Sequence, residues 1–274
     1  MHGNHSKDAL MSAAPDRRLE HLPPAASGLG AIFARPKIIV MVSVLTFAGL
    51  GWLTLGIQAA GWLDLLCGSL SGANAAVVAS MWSAMTLAMM LPSAAPMILT
   101  YAEIADTAAH KNEPVVSPFM IAAGYTVVWL GFAAAATLAQ LILTRLTMLN
   151  EAMAPASAWF SAELFVGAGL YQFSALKQAS LTQCQQPFSF FFANWKTTPR
   201  GVFGLGLRQG LYCLGCCWAM MLLMFAAGIM NVVWMAGLGI VMAIEKIGAG
   251  KRFSQFIGVA LIAIGVAFIP GVRH

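Results

Sequence analysis

The stretch Gly210-Leu211-Tyr212-Cys213-Leu214-Gly215-Cys216-Cys217-Trp218-Ala219-Met220-Met221-Leu222-Leu223-Met224 combines three thiols and three thioethers with apolar residues. It lies inside an apolar run from residue 203 to 229, which exceeds the ~20 residues that a helix needs to cross a bilayer. Thiolates and thioethers are soft ligands, and together they favour copper(I). The stretch therefore predicts a transmembrane helix that carries a soft metal site.

The composition extends this prediction to the whole chain. Hydrophobic residues make up 59% of the 274 residues and charged residues only 9%, which leaves too little polar surface for a soluble protein. Seven apolar runs have the length of a membrane span: 38–58, 75–99, 116–142, 158–176, 203–229, 231–248 and 253–270. We expect an all-α, polytopic transmembrane bundle of about seven helices over residues 38–274. Residues 1–37 are expected to form a disordered cytoplasmic tail.

The basic residues predict the orientation of this bundle. With the N-terminus in the cytoplasm, 13 of the 15 Lys and Arg residues fall on the inner side, and only Arg145 and Arg273 fall outside. Cytoplasmic loops carry such an excess. The net charge of +5 is then a consequence of topology and gives no reason to expect nucleic acid as a partner. The aromatic segment 177–202 is expected to be a cytoplasmic loop on the membrane surface.

Sulfur spacing predicts how a metal would be held. Cys213 is three residues before Cys216 and four before Cys217, so these thiols share a helix face. In the second span, Met81, Met85 and Met89 follow one another every four residues, and the centres of the two spans fall at similar membrane depth. The predicted site lies between the second and fifth helices and comprises Cys213, Cys216, Cys217, Met81, Met85, Met89, Met220 and Met224. Ordinary packing is the alternative role for methionine and buried cysteine.

Other groups bear on the choice of metal. All five histidines fall in tails or loops, which disfavours an imidazole-ligated zinc or iron centre in the membrane.

Three further polar candidates are Glu245, Glu163 and Cys184. Glu245 is interpreted as a solvated helix end, or as a carboxylate that pairs with Arg208 or accepts a thiol proton. Glu163 could face an outer vestibule, and Cys184 lies in the cytoplasmic segment.

The chain also resembles a bacterial family of integral membrane proteins that are predicted to bind metal and have no established function. The shared motifs are Met81-Trp82-Ser83-Ala84-Met85, Ala88-Met89-Met90-Leu91-Pro92-Ser93, Ser174-Ala175-Leu176-Lys177, Cys184 through Pro187-Phe188, Gly210 through Trp218, Gly228-Ile229-Met230-Asn231 and Glu245-Lys246. The resemblance implies a multi-pass protein of the bacterial inner membrane that acts with a small soluble partner protein. One departure is Ser180, where the family tends to have the first Cys of a Cys-x-x-x-Cys pair that ends at Cys184.

The leading functional hypothesis is binding of copper(I) at this site and its transfer or delivery, with a cuproenzyme as recipient, rather than enzymatic catalysis. A thiol redox protein that cycles Cys213 and Cys216, or a subunit of a membrane oxidoreductase, is one alternative. A structural membrane scaffold without metal is the other.

Overall fold

The computed structural model of the protein describes residues 36–60, 75–149, 157–227, 232–248 and 250–269. These residues form nine helices and no β-strand, which confirms the all-α prediction. The helices are α1 (Pro36–Ala59), α2 (Ala75–His110), α3 (Pro118–Arg145), α4 (Ala158–Tyr171), α5 (Ala175–Gln185), α6 (Pro187–Asn194), α7 (Pro199–Ala227), α8 (Val232–Ile247) and α9 (Gly250–Phe268). Residues 1–35 of the predicted tail lie outside the described residues, as does the fifth cysteine, Cys67, in segment 61–74; the last two tail residues, Pro36 and Lys37, begin α1.

Five of the nine helices, rather than seven, are long and apolar enough to cross a membrane: α1, α2, α3, α7 and α9. The fourth predicted span is wrong as a single helix, because α4 ends at Tyr171 and a new helix starts after Ser174. The Ser174 side chain caps α5 by accepting a hydrogen bond from the backbone N–H of Lys177 at 3.1 Å. The 14 residues of α4 cover about 21 Å, short of a ~30 Å hydrocarbon core. The 16 residues of α8 are also too few to cross the hydrocarbon core, even for a helix perpendicular to the membrane plane.

The segment predicted as a surface loop is mostly helical. Residues 175–194 form α5 and α6, and Pro187 occupies the first turn of α6, where its missing N–H is tolerated. Phe190 and Phe191 turn into the core, whereas Phe188 and Phe192 remain exposed. The loop assignment was wrong because the aromatic residues of this segment alternate between two faces of a short helix.

The helix that carries the cysteines lies at the centre of the bundle. α7 packs against α3, α4, α5 and α8. In an apolar stretch of 18 residues within α7, 67% of the residues are buried, the largest share among the five candidate spans. Its contact with α3 depends on Gly206 and Gly124, where the two backbones touch. A Cβ atom at Gly206 would collide with the carbonyl oxygen of Ile121. Small residues at such crossings permit close helix packing.

This contact gives a test of the packing. Replacing Gly206 by alanine should force α3 and α7 apart and lower the free energy of unfolding by about 1–3 kcal/mol, as overpacking typically does. Gly204→Ala is the matched control, because a Cβ atom at Gly204 meets nothing within 4 Å. In a helix interior the control should be neutral or stabilising by up to about 1 kcal/mol. Denaturation of both variants in detergent measures the difference, and equal stabilities would contradict the backbone contact at Gly206.

Candidate metal centre

Three thiols on one side of α7 form the centre of the site. The Sγ atoms of Cys213, Cys216 and Cys217 all lie within 4.8 Å of one another, and those of Cys216 and Cys217 are 3.2 Å apart. The side chains are 3%, 2% and 1% exposed. We call these residues the cysteine triad. Their spacing of three and four residues brings them to one face of the helix, so the triad can close on a single ion.

A fourth thiol joins the triad from another helix. Cys184 Sγ on α5 lies 3.9 Å from Cys216 Sγ, and the Cys184 side chain is partly exposed. The approach is possible because α5 packs closely on α7 at Gly215, where a Cβ atom would come within 2.6 Å of Ser180 Oγ. Cys184 therefore belongs to the same sulfur group as the triad and does not form a separate cytoplasmic site.

The ammonium group of Lys246 on α8 also reaches this sulfur group. Its Nζ atom lies 3.0 Å from Cys213 Sγ, 2.7 Å from Ser93 Oγ and 3.7 Å from Met90 Sδ. One cation therefore contacts a sulfur atom on α7 and a sulfur atom on α2. Three thiolates and one copper(I) ion would carry a net charge of −2, which a nearby ammonium group partly offsets where the dielectric constant is low. Sequence reasoning placed Lys246 only among the cytoplasmic charges and missed this contact.

Tyr125 on α3 completes the polar surroundings of Cys213. Its hydroxyl oxygen lies 3.0 Å from Cys213 Sγ, and its O–H donates to the carbonyl oxygen of Met90 at 3.1 Å. The Met90 carbonyl also accepts a hydrogen bond from Ser93 Oγ at 2.8 Å. This part of α2 contains Pro92 and Pro96, yet the helix continues through both. The Met90 carbonyl oxygen thus accepts two side-chain hydrogen bonds in the part of the helix that contains the prolines.

The predicted methionines are all buried, but the structure gives them different neighbours. Met81, Met85 and Met89 on α2 and Met220 and Met224 on α7 belong to one hydrophobic core. The sulfur of Met220 accepts a hydrogen bond from Gln172 Nε2 at 3.0 Å. The two helices touch through the rings of Trp82 and Phe225, whose centroids are 5.2 Å apart. The sulfur group itself is surrounded by α2, α3, α5, α7 and α8, which is a wider enclosure than the two helices predicted.

Comparison with known proteins agrees with the donor set. The PpoB2 family, described as a copper chaperone family, matches residues 79–268, a range that contains the triad, Cys184 and Lys246. The chain belongs to the PpoB2 copper chaperone family. The match confirms the predicted membership of a metal-binding family. No curated protein and no solved structure matches the chain.

A second buried polar group of this copper chaperone family member is centred on Glu245, which directly precedes Lys246 in α8. Glu245 is 3% exposed, accepts a hydrogen bond from Lys177 Nζ at 2.8 Å and accepts another from Ser254 Oγ at 2.7 Å. Glu245 is therefore neither a solvated helix end nor the partner of Arg208, which donates to Asn194 Oδ1 at 3.2 Å. Glu163 lies exposed on α4, away from these contacts.

The Lys177–Glu245 pair allows a stability prediction. Lys177→Met should leave the Glu245 carboxylate buried without its cation and reduce the free energy of unfolding by about 3–5 kcal/mol. Lys177→Met combined with Glu245→Gln removes both charges and keeps an acceptor for Ser254, so it should recover most of that loss. Thermal denaturation of the detergent-solubilised variants measures both effects. A double variant as unstable as Lys177→Met would contradict a charge-based explanation.

Proposed function

We propose that this protein is a membrane-embedded copper chaperone that binds copper(I) through the cysteine triad and delivers it to a partner. The observation that carries the proposal is the convergence of three buried thiols, with ligand atoms within 4.8 Å of one another, in a member of a copper chaperone family. Among the described residues, no histidine belongs to the group of possible ligands. Thiolates bind several soft or borderline metals, and membership of a copper chaperone family favours copper(I) among them.

Copper(I) is the cargo of this site. Metal binding requires thiolates, so each thiol that becomes a ligand releases its proton. Cys213, Cys216 and Cys217 would hold the ion, and the Lys246 ammonium group would offset the negative charge of the complex. Because thiolate donors can be exchanged one at a time, the ion can pass to a recipient that also offers sulfur or nitrogen ligands.

The buried methionines have a proposed role beside the triad. Met81, Met85 and Met89 on α2, with Met220 and Met224 on α7, would bind the ion weakly on its way to or from the thiols. Met89 lines a cleft that Cys184 also lines, which supports this role for Met89, and the other four methionines lie in the same buried core. A thioether is neutral and binds copper(I) without losing a proton, so it suits a transient ligand better than a final one.

The location and partners form the remaining part of the proposal. Five helices are long and apolar enough to span a bilayer, which supports placement in a membrane. The proposed membrane is the bacterial inner membrane, and the excess of basic residues on the predicted inner side favours an N-terminus in the cytoplasm. Membership of a chaperone family supports delivery to a recipient. The recipient would be a cuproenzyme or a small soluble partner protein.

Metal analysis tests the assignment of ligands. Full-length protein purified under reducing conditions with copper(I) should retain about one ion, and Cys213→Ala/Cys216→Ala/Cys217→Ala should retain none, because the single remaining thiol of the group, Cys184, and the neutral thioethers bind too weakly to survive purification. Cys67→Ser is the matched control, since it removes a thiol distant from the triad in sequence and should leave copper binding unchanged. Copper in the triple variant at the wild-type level would refute the triad as the site.

The same samples distinguish the alternative functions. A thiol redox protein must form a reversible disulfide, so counting free thiols after mild oxidation and again after reduction would show the loss and return of two thiols. Metal binding with a constant thiol count under copper-free, mildly oxidising conditions would exclude the redox role. Absence of both bound metal and a reversible disulfide would indicate a structural scaffold.

A further inference from the structure

Access to the cysteine triad is restricted. Cys213, Cys216 and Cys217 are each at most 3% exposed, whereas Cys184 is partly exposed and lies 3.9 Å from Cys216. Among the four thiols of the sulfur group, Cys184 is therefore the one that a ligand arriving from outside meets first. An ion that enters the triad needs a route past this residue.

Two adjoining cavities provide such a route. A cleft of about 490 Å³ opens between α1, α2, α5 and α8, and its lining includes Met89, Met97, Cys184 and Lys246. A small cavity of about 20 Å³ lies behind it and is bordered by Cys213 and Tyr125. Four residues line both the cleft and the small cavity: Ser93, Met97, Cys184 and Lys246. These shared residues form the boundary between the open cleft and the triad.

From this arrangement we infer that the cleft between α1, α2, α5 and α8 is the port through which copper(I) reaches and leaves the cysteine triad, with Met97 and Cys184 as the ligands at its inner end. The inference rests on the proposed function, since it names the path to the same site. It assigns a role to Cys184 that is distinct from that of the three buried thiols.

The ligands follow one another in an order that suits transfer. Met89 and Met97 offer thioethers in the cleft, Cys184 offers a thiol at the boundary, and Cys216 follows within 3.9 Å of Cys184. At each step a new copper–sulfur bond forms as an earlier one breaks, and the ion remains copper(I). The proton of each thiol that becomes a ligand is released to the solvent. The sequence from neutral thioether to thiolate makes loading favourable.

Two features at and behind the boundary fit passage of a sulfur-bound ion. Gln209 lines the small cavity, is 2% exposed, and its Oε1 atom has no hydrogen-bond partner in the described parts of the chain. A buried orphan acceptor indicates a site that accommodates a polar guest, and the cavity is large enough for one water molecule. Lys246 lies at the inner end of the cleft, where its ammonium group favours an ion that has become thiolate-bound over one that has not, and the sulfur ligands themselves select soft ions over hard ones.

A pair of glycines on α8 allows a matched test. Gly239 lines the cleft, and a Cβ atom there would lie 3.3 Å from Met89 Cε, whereas Gly237 faces open space on the same helix. Gly239→Leu should narrow the cleft and slow copper(I) loading at least about tenfold, equivalent to about 1.4 kcal/mol in the barrier. The final stoichiometry should stay at the wild-type value. Gly237→Leu makes the same change in helix propensity and should load at the wild-type rate.

Loading is followed with full-length protein in detergent, by the colour change as a copper(I) chelate loses its ion. A Gly239→Leu variant that loads as fast as wild type would overturn the port while leaving the proposed function intact. Failure of wild-type protein to take up any copper(I) would instead overturn the proposed function. The final stoichiometry reports whether each variant retains an intact site.

Thiol labelling provides a second measurement that needs no substitution in the cleft. In a Cys67→Ser background without metal, a maleimide should modify Cys184 before Cys213, Cys216 or Cys217, and the singly modified protein should load copper(I) more slowly than the unmodified protein. Peptide mass spectrometry identifies the modified thiol. Modification of a triad thiol before Cys184, or unchanged loading after modification of Cys184, would overturn the port.

Discussion

The constraint on which the site depends is the cost of charge in a medium that solvates it poorly. Three thiols on one side of α7 become useful to a metal only as thiolates, and an isolated buried anion is expensive. Two groups beside Cys213 can stabilise a thiolate: the Lys246 ammonium group, 3.0 Å from the Cys213 Sγ atom, and the Tyr125 hydroxyl group. Each of these side chains belongs to a different helix, so the assembled bundle, rather than α7 alone, creates the site.

Short helices are what allow this assembly. The predicted fourth span ends at Tyr171, a separate helix α5 begins at Ala175, and Cys184 on this second helix lies 3.9 Å from Cys216. Close backbone contact between α3 and α7 at Gly124 and Gly206 similarly brings Tyr125 toward Cys213. The helix break after Tyr171 and the close packing of α3 on α7 therefore both bring polar and sulfur atoms toward Cys213 and Cys216.

The sequence predicts the parts of this molecule that follow from local periodicity. Apolar runs predict the helices, and the spacing of Cys213, Cys216 and Cys217 predicts a shared face. The number of spans was wrong because apolarity alone does not show that Ser174 starts a new helix. Cys184 and Lys246 reach the triad from 29 residues before Cys213 and 29 residues after Cys217, and no pattern in one sequence links such distant positions. The isolated positive charge of Lys246, beside an acidic neighbour at the end of an apolar run, was the available signal.

Glu245 and Lys246 are neighbours in the chain, and about 100° of helix rotation separates adjacent side chains. Glu245 is held by Lys177 on α5 and Ser254 on α9, while Lys246 points toward Cys213 on α7. The rotational setting of α8 is therefore shared between the two contacts. Any rotation of α8 about its axis would displace the Glu245 and Lys246 side chains together. The contacts of the Glu245 carboxylate therefore also fix the position of the Lys246 ammonium group.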